Sequence, residues 1–145
     1  MVRIAGTRNH PGTWRRSNKN LPMPWVVKYA LGVTSGRAAL HCALTALNVG
    51  PGDEVILLTW TWYACYNAIL LTGASPVFAE TDESFEMDPE DLDKKITPRT
   101  KAVMVVHLYG APANNAIMDV ARRHNLKVLE DCAQRGRQVQ GQAGL

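Results

Sequence analysis

Three short segments of this chain carry residue types that suit one small ligand. Thr34-Ser35-Gly36-Arg37 is a small-residue turn running into an apolar stretch. At a helix start, free backbone N–H groups and the positive end of the dipole form an anion site. Arg37 would add a charge-assisted donor for a phosphate. An ordinary N-cap explains the same residues equally well. Thr59-Trp60-Thr61-Trp62-Tyr63 follows an apolar run, and an aromatic there either lies flat on a planar heterocycle or packs into the core. Asp131 ends the run Lys127-Val128-Leu129-Glu130, with Gln134 three residues on. A buried carboxylate needs a cation or several donors to offset its desolvation. A protonated pyridine nitrogen would serve, as would a structural lysine or a helix cap.

Each segment alone is ambiguous, and so is a fourth, His107-Leu108-Tyr109-Gly110, whose histidine is either a base or loop packing. The order of the first three is informative. Anion turn, aromatic and acid are the contacts that a phosphorylated pyridine requires at its phosphate, ring face and ring nitrogen.

Such residues need elements that deliver them to one place. Tyr29–Val33 reads as a short strand, and the apolar stretch Ala38–Leu47 as a helix buried on several faces. Glu54–Leu58 is a continuous apolar run of the kind buried parallel strands show. Residues 62–72 read as a second buried helix stopped by Gly73, and Pro76–Ala79 as a strand. Asp88-Pro89-Glu90 starts a helix with a capping acid and Pro at its first position, running to about Lys95. Lys101–Val106 is a strand, Asn115–His124 a helix and Lys127–Glu130 a last strand. Strands alternating with helices imply right-handed βαβ units on a mostly parallel sheet. The segments singled out above fall at strand ends or at a helix start, where ligands of such sheets collect.

The bulk properties are those of an ordinary globular chain. It has 145 residues, 46% hydrophobic and 20% charged, enough for one domain. No stretch approaches the roughly 18 apolar residues of a membrane span. Cys42, Cys65 and Cys132 are scattered and lack CxxC spacing, which argues against a disulfide framework or a zinc site and for a reducing, cytoplasmic setting. No metal is expected. The net charge of +3 is unevenly spread: no Asp or Glu precedes Asp53, whereas Arg3, Arg8, Arg15, Arg16, Lys19, Lys28 and Arg37 do. Residues 1–28 carry Pro, Gly, Asn and Arg without a period and read as an irregular basic leader, loop or extended. A transit segment would need amphipathic periodicity and a cleavage site. A nucleic-acid arm does not suit Trp14, Trp25 and three prolines, so neither is expected.

From Tyr29 on, the chain resembles the sugar aminotransferases of the DegT/DnrJ/StrS family, a branch of the fold-type-I pyridoxal phosphate (PLP) enzymes. The resemblance is carried by Tyr29-Ala30-Leu31-Gly32-Val33-Thr34-Ser35-Gly36, Gly50-Pro51-Gly52-Asp53-Glu54-Val55, Gly73-Ala74-Ser75-Pro76-Val77-Phe78, Ile96-Thr97-Pro98-Arg99-Thr100-Lys101-Ala102, His107-Leu108-Tyr109-Gly110 and Glu130-Asp131-Cys132-Ala133-Gln134. It implies an α/β, three-layer fold with a mostly parallel sheet: a partial large domain over residues 29–145, without its C-terminal portion or the small domain. It further implies that Ser35, Gly36 and Arg37 bind the cofactor phosphate and that Trp62 stacks on the ring. Asp131 would pair with the ring nitrogen, and Gln134 would hydrogen-bond the ring hydroxyl. Full-length relatives transfer an amino group from glutamate or glutamine to a keto sugar or keto cyclitol, as homodimers.

Three departures modify these expectations. Arg37 stands where the family usually has threonine. The helix that normally precedes Tyr29 is missing or replaced by the basic leader. No lysine follows Lys127, so the Schiff-base lysine is absent from these residues. The expectation is therefore a chain weakly active or inactive alone, with an unprotected sheet edge. The alternative is a non-catalytic remnant or dimerisation partner of an intact relative.

Overall fold

The computed structural model describes residues 2–4 and 31–134. Five parallel strands form one sheet in the order β1-β5-β4-β2-β3. They are β1 (Val2–Ile4), β2 (Glu54–Leu58), β3 (Ser75–Ala79), β4 (Thr100–Val106) and β5 (Lys127–Asp131). All of β2, and β4 and β5 apart from Lys101 and Lys127, are buried, as expected of central parallel strands covered on both faces.

The helices are α1 (Gly36–Ala46), α2 (Tyr63–Leu70), α3 (Pro89–Lys95) and α4 (Asn115–Arg123). Right-handed crossovers put α2 on one face of this strand order and α3 and α4 on the other. The packing agrees: α1 lies against α2, and α3 against α4. The local signals for α3 act as the sequence suggests. The Asp88 side chain accepts from the Glu90 N–H at 2.8 Å, Pro89 opens the helix, and Lys94 and Lys95 close it near the negative end of the dipole. Asn114 caps α4 by accepting from the Ala116 N–H.

Neighbouring β2 and β4 send their chains to opposite faces, which opens a crevice at their carboxyl ends. The loops after β2, β4 and β5 meet at this end of the sheet and are tied together. Trp60 Nε1 donates to Tyr109 Oη at 3.4 Å, and the Tyr109 N–H donates to Gln134 Oε1 at 2.8 Å. The His107 N–H donates to the Asp131 carbonyl at 3.1 Å.

Three expectations from the sequence are corrected. Leu31–Val33 form no strand, while Tyr29 and Ala30 lie outside the described residues. Leu31 is 84% exposed, and the place beside β5 is occupied by β1. Within the leader read as irregular, loop or extended, Val2–Ile4 is a strand paired with β5, and among the described residues the sheet's edges are β1 and β3. Finally, α1 and α2 are not buried on several faces. Each rests on one stripe, Leu40, Ala43 and Leu44 in α1 and Cys65, Ala68 and Ile69 in α2, because each covers only one side of the sheet. Tyr63 and Leu70 of α2, and Leu71 after it, stay exposed.

Candidate cofactor site

Ser35, Gly36, Arg37, Trp62, Cys65 and Asp131 line one cavity of about 460 Å³ at the carboxyl end of the sheet. Its first wall is the start of α1. Ser35 is the N-cap, with extended backbone, and its Oγ accepts from the Ala38 N–H at 3.1 Å. That bond uses the oxygen and leaves the hydroxyl proton available. The Gly36 and Arg37 N–H groups belong to the first turn, where a helix offers no internal acceptor. A Cβ on Gly36 would meet no atom within 4 Å, so this wall keeps open space in front of the helix N-terminus. The two readings of the turn, N-cap and anion site, are therefore compatible.

The second wall is aromatic. Trp62 ends the loop after β2 and is 64% exposed, although it is a large apolar ring lining a cavity. Its ring lies 5.1 Å from that of Tyr63, and the Arg37 guanidinium stands 5.1 Å from the Tyr63 centroid. This cation–π contact holds Arg37, the one basic side chain of the lining among the described residues, beside the α1 N-terminus.

The floor is Asp131, 6% exposed at the end of β5. Its Oδ1 accepts from the Ala133 N–H at 2.9 Å, and its Oδ2 accepts from the Cys65 thiol at 3.4 Å. Neither of these two partners, among the described residues, is a Lys, Arg or His. The donor set fits a phosphorylated pyridine cation: anion donors at one wall, an open ring at the second, an acid at the floor.

The remaining sequence candidates lie elsewhere. Gln134 does not line the cavity, and its Oε1 is engaged by the Tyr109 N–H. His107 is buried loop packing: its Nδ1 accepts from the Ala113 N–H at 3.1 Å, and its Nε2 lies 3.6 Å from Glu130 Oε1. His107, Glu130 and Cys132 bring their donor atoms within 4.8 Å of one another, which resembles a metal cluster. A neutral imidazole accepting at Nδ1 carries its proton on Nε2, however, and has no lone pair there for a metal.

Sequence reasoning passed over Cys65 and Thr61. Thr61 Oγ1 donates to Cys65 Sγ at 3.4 Å, and burial pushes the Cys65 thiol up to about 12. A cysteine in an apolar helix carries no sign of function by itself. Its pairing with Asp131 spans most of the described chain.

A family model for DegT/DnrJ/EryC1/StrS aminotransferases matches residues 23–144. The chain belongs to this family. Its members are PLP-dependent aminotransferases. The chain is 50% identical over 119 residues to the UDP-N-acetyl-3-dehydro-alpha-D-glucosamine 3-aminotransferase of Acidithiobacillus ferrooxidans, a match covering 80% of this chain and 32% of that enzyme. Among solved structures it is similar to Streptomyces venezuelae DesV in complex with a ketimine intermediate, with a TM-score of 0.70 and 46% identity over 72% of this chain and 29% of the other. It is also similar to NtdA from Bacillus subtilis with bound cofactor PMP, with a TM-score of 0.63 and 38% identity over 65% of this chain and 22% of the other. The chain thus spans about a third of the length of the curated relatives it matches. No helix among the described residues is long and apolar enough to cross a membrane.

Proposed function

We propose that this chain is the cofactor-cradling front portion of a PLP-dependent sugar aminotransferase. The observation that supports this best is the convergence of Ser35, Gly36, Arg37, Trp62 and Asp131 on one cavity in the order phosphate end, ring face, ring nitrogen. The Ser35 hydroxyl, the Gly36 and Arg37 N–H groups and the Arg37 guanidinium bind the phosphate. Trp62 covers one face of the ring and keeps water from it. Asp131 holds a proton on the ring nitrogen. Gln134, which the family resemblance pairs with the ring hydroxyl, instead holds the Tyr109 N–H through its oxygen. When bound, PLP supplies the electron sink for amino transfer.

The amino donor in this reading is glutamate or glutamine, and the acceptor is a keto sugar or keto cyclitol. The name of the Acidithiobacillus relative favours a nucleotide-linked keto sugar. Weak or absent amino transfer by these 145 residues on their own belongs to the same reading. The exposed Tyr63, Leu70 and Leu71 support a homodimer. The same apolar surface favours a second reading, a non-catalytic partner of an intact relative. Co-expression with such a relative tests it, a stable heteromer being the outcome in its favour.

Titration of the folded chain with PLP, followed by tryptophan quenching with Trp62→Phe as control, tests the main reading. Saturable binding weakened by Asp131→Asn and Arg37→Ala is expected. Absence of saturable binding by the folded chain sinks it.

A further inference from the structure

A carboxylate that must face a ring nitrogen has one soft torsion, the rotation of its plane, and something has to hold it. Two donors reach Asp131 on different oxygens. The Ala133 N–H takes Oδ1 at 2.9 Å, and the Cys65 thiol takes Oδ2 at 3.4 Å. The thiol is itself approached by the Thr61 hydroxyl at 3.4 Å. We propose that Thr61 and Cys65 form a donor relay that sets the plane of the Asp131 carboxylate toward the cavity, making Cys65 a positioning residue for the cofactor's ring nitrogen.

The direction of the relay follows from the chemistry of its members. An ionised carboxylate only accepts, so the bridging proton belongs to sulfur. The hydroxyl of Thr61 then points its proton at the sulfur lone pair, which leaves the S–H free to turn to Asp131. Cys65 is 1% exposed, and burial keeps the thiol protonated, so it remains a donor across the working pH range. With one lone pair of each oxygen engaged, the remaining ones are available to the cavity that Asp131 lines. Thr61 and Cys65 also flank Trp62. One short segment therefore carries both the ring-stacking residue and the group that orients the ring-nitrogen partner.

The inference rests on the cavity being a cofactor site, and its test separates the two. Wild type, Cys65→Ala, Cys65→Ser and Thr61→Val are titrated with PLP carrying a ¹⁵N-labelled ring nitrogen, reading affinity and the pH at which the bound nitrogen loses its proton. Cys65→Ala is expected to bind about fivefold more weakly, as for loss of one hydrogen bond to a charged group with a weak donor, with the deprotonation midpoint moved down. Cys65→Ser, which restores a donor, returns both readouts toward wild type. Thr61→Val, a change on a loop, shows the same signs to a smaller extent and carries the test if Cys65→Ala does not fold. Equal weakening by Cys65→Ala and Cys65→Ser with an unmoved midpoint overturns the relay in favour of packing. Wild-type behaviour in all variants overturns it outright. No saturable binding by wild type overturns the cofactor reading and the relay with it.

Discussion

Arg99 clasps Glu54 at the amino edge of the sheet, its Nε donating to Glu54 Oε1 at 2.9 Å while Thr97 Oγ1 donates to Oε2 at 2.5 Å. Glu54 is buried at the start of β2, and its backbone N–H also donates to the Arg99 carbonyl. The contact fastens β2 to the turn before β4, at the end of the sheet opposite the cavity, and so serves the fold. The Thr97 hydrogen bond, followed by the Arg99 pair, holds the Glu54 carboxyl below its ordinary 4.5. A depressed carboxylate stabilises the fold above its unfolded pKa, and that stability is lost as pH falls through the folded value. Wild type should lose Tm in acid below pH 4.5. Glu54→Gln should lower Tm by several degrees at neutral pH and flatten that acid limb.

Glu86 behaves in the opposite sense. Burial pushes its carboxyl up to about 7, with the charge of Asp82 adding to the shift. A raised carboxylate favours the fold below its unfolded value, and this contribution is lost as pH rises through the folded one. Urea unfolding should therefore show stability falling between pH 4.5 and about 7, by an amount on the order of 3 kcal/mol at most. Glu86→Gln should remove that slope. A slope unchanged in the variant would assign it to another group.

Gly73 turns the chain from α2 into β3 with φ +81°, and a Cβ there would sit 2.9 Å from Pro51 Cγ. Gly73→Ala meets both a left-handed backbone and a ring wedged by its own turn. It should cost about 2 kcal/mol in urea unfolding. Gly52→Ala shares the positive φ, +89°, but has open space, and should cost about half as much. Equal costs would show that the Pro51 contact contributes nothing.

Arg37 separates phosphate binding from ring binding. Arg37→Ala should weaken PLP about tenfold, as for loss of a charge-assisted contact, and leave pyridoxal, which lacks the phosphate, unchanged. Paired isothermal titrations with the two ligands check this. A matching loss for pyridoxal would place Arg37 at the ring instead. Ser35→Ala should in addition cost the protein about 1 kcal/mol, since its Oγ caps α1.

The sheet was legible because Val55–Leu58 and Val103–Val106 are apolar runs bounded by turn residues, and α3 because Asp88-Pro89 states its own start. Three-residue β1 was not, since Val-Arg-Ile has no period and its pairing with Leu129–Asp131 lies at the far end of the sequence. Leu31–Val33 looked like a strand by composition, but strand formation depends on a vacant neighbour as well as on side chains. Around the candidate site, Ser35, Gly36, Arg37, Trp62 and Asp131 stand out in the sequence because element ends are local features. Their common cavity now joins them. Cys65 was hidden for the converse reason: its partner, Asp131, is 66 residues away.

The cavity takes one wall from Ser35 and its floor from Asp131, near the two ends of the segment described from residue 31 onward. Folding of either end alone supplies only one of them, so a ligand in this cavity acts as a gauge of whether the two ends have come together. Saturating PLP at about 100 times its Kd should raise stability by roughly 2.7 kcal/mol through mass action alone. Damage at remote positions such as Glu54 or Gly73 would then appear first as weakened apparent affinity, repairable by excess ligand, and cofactor supply would set how much sequence drift the sheet tolerates.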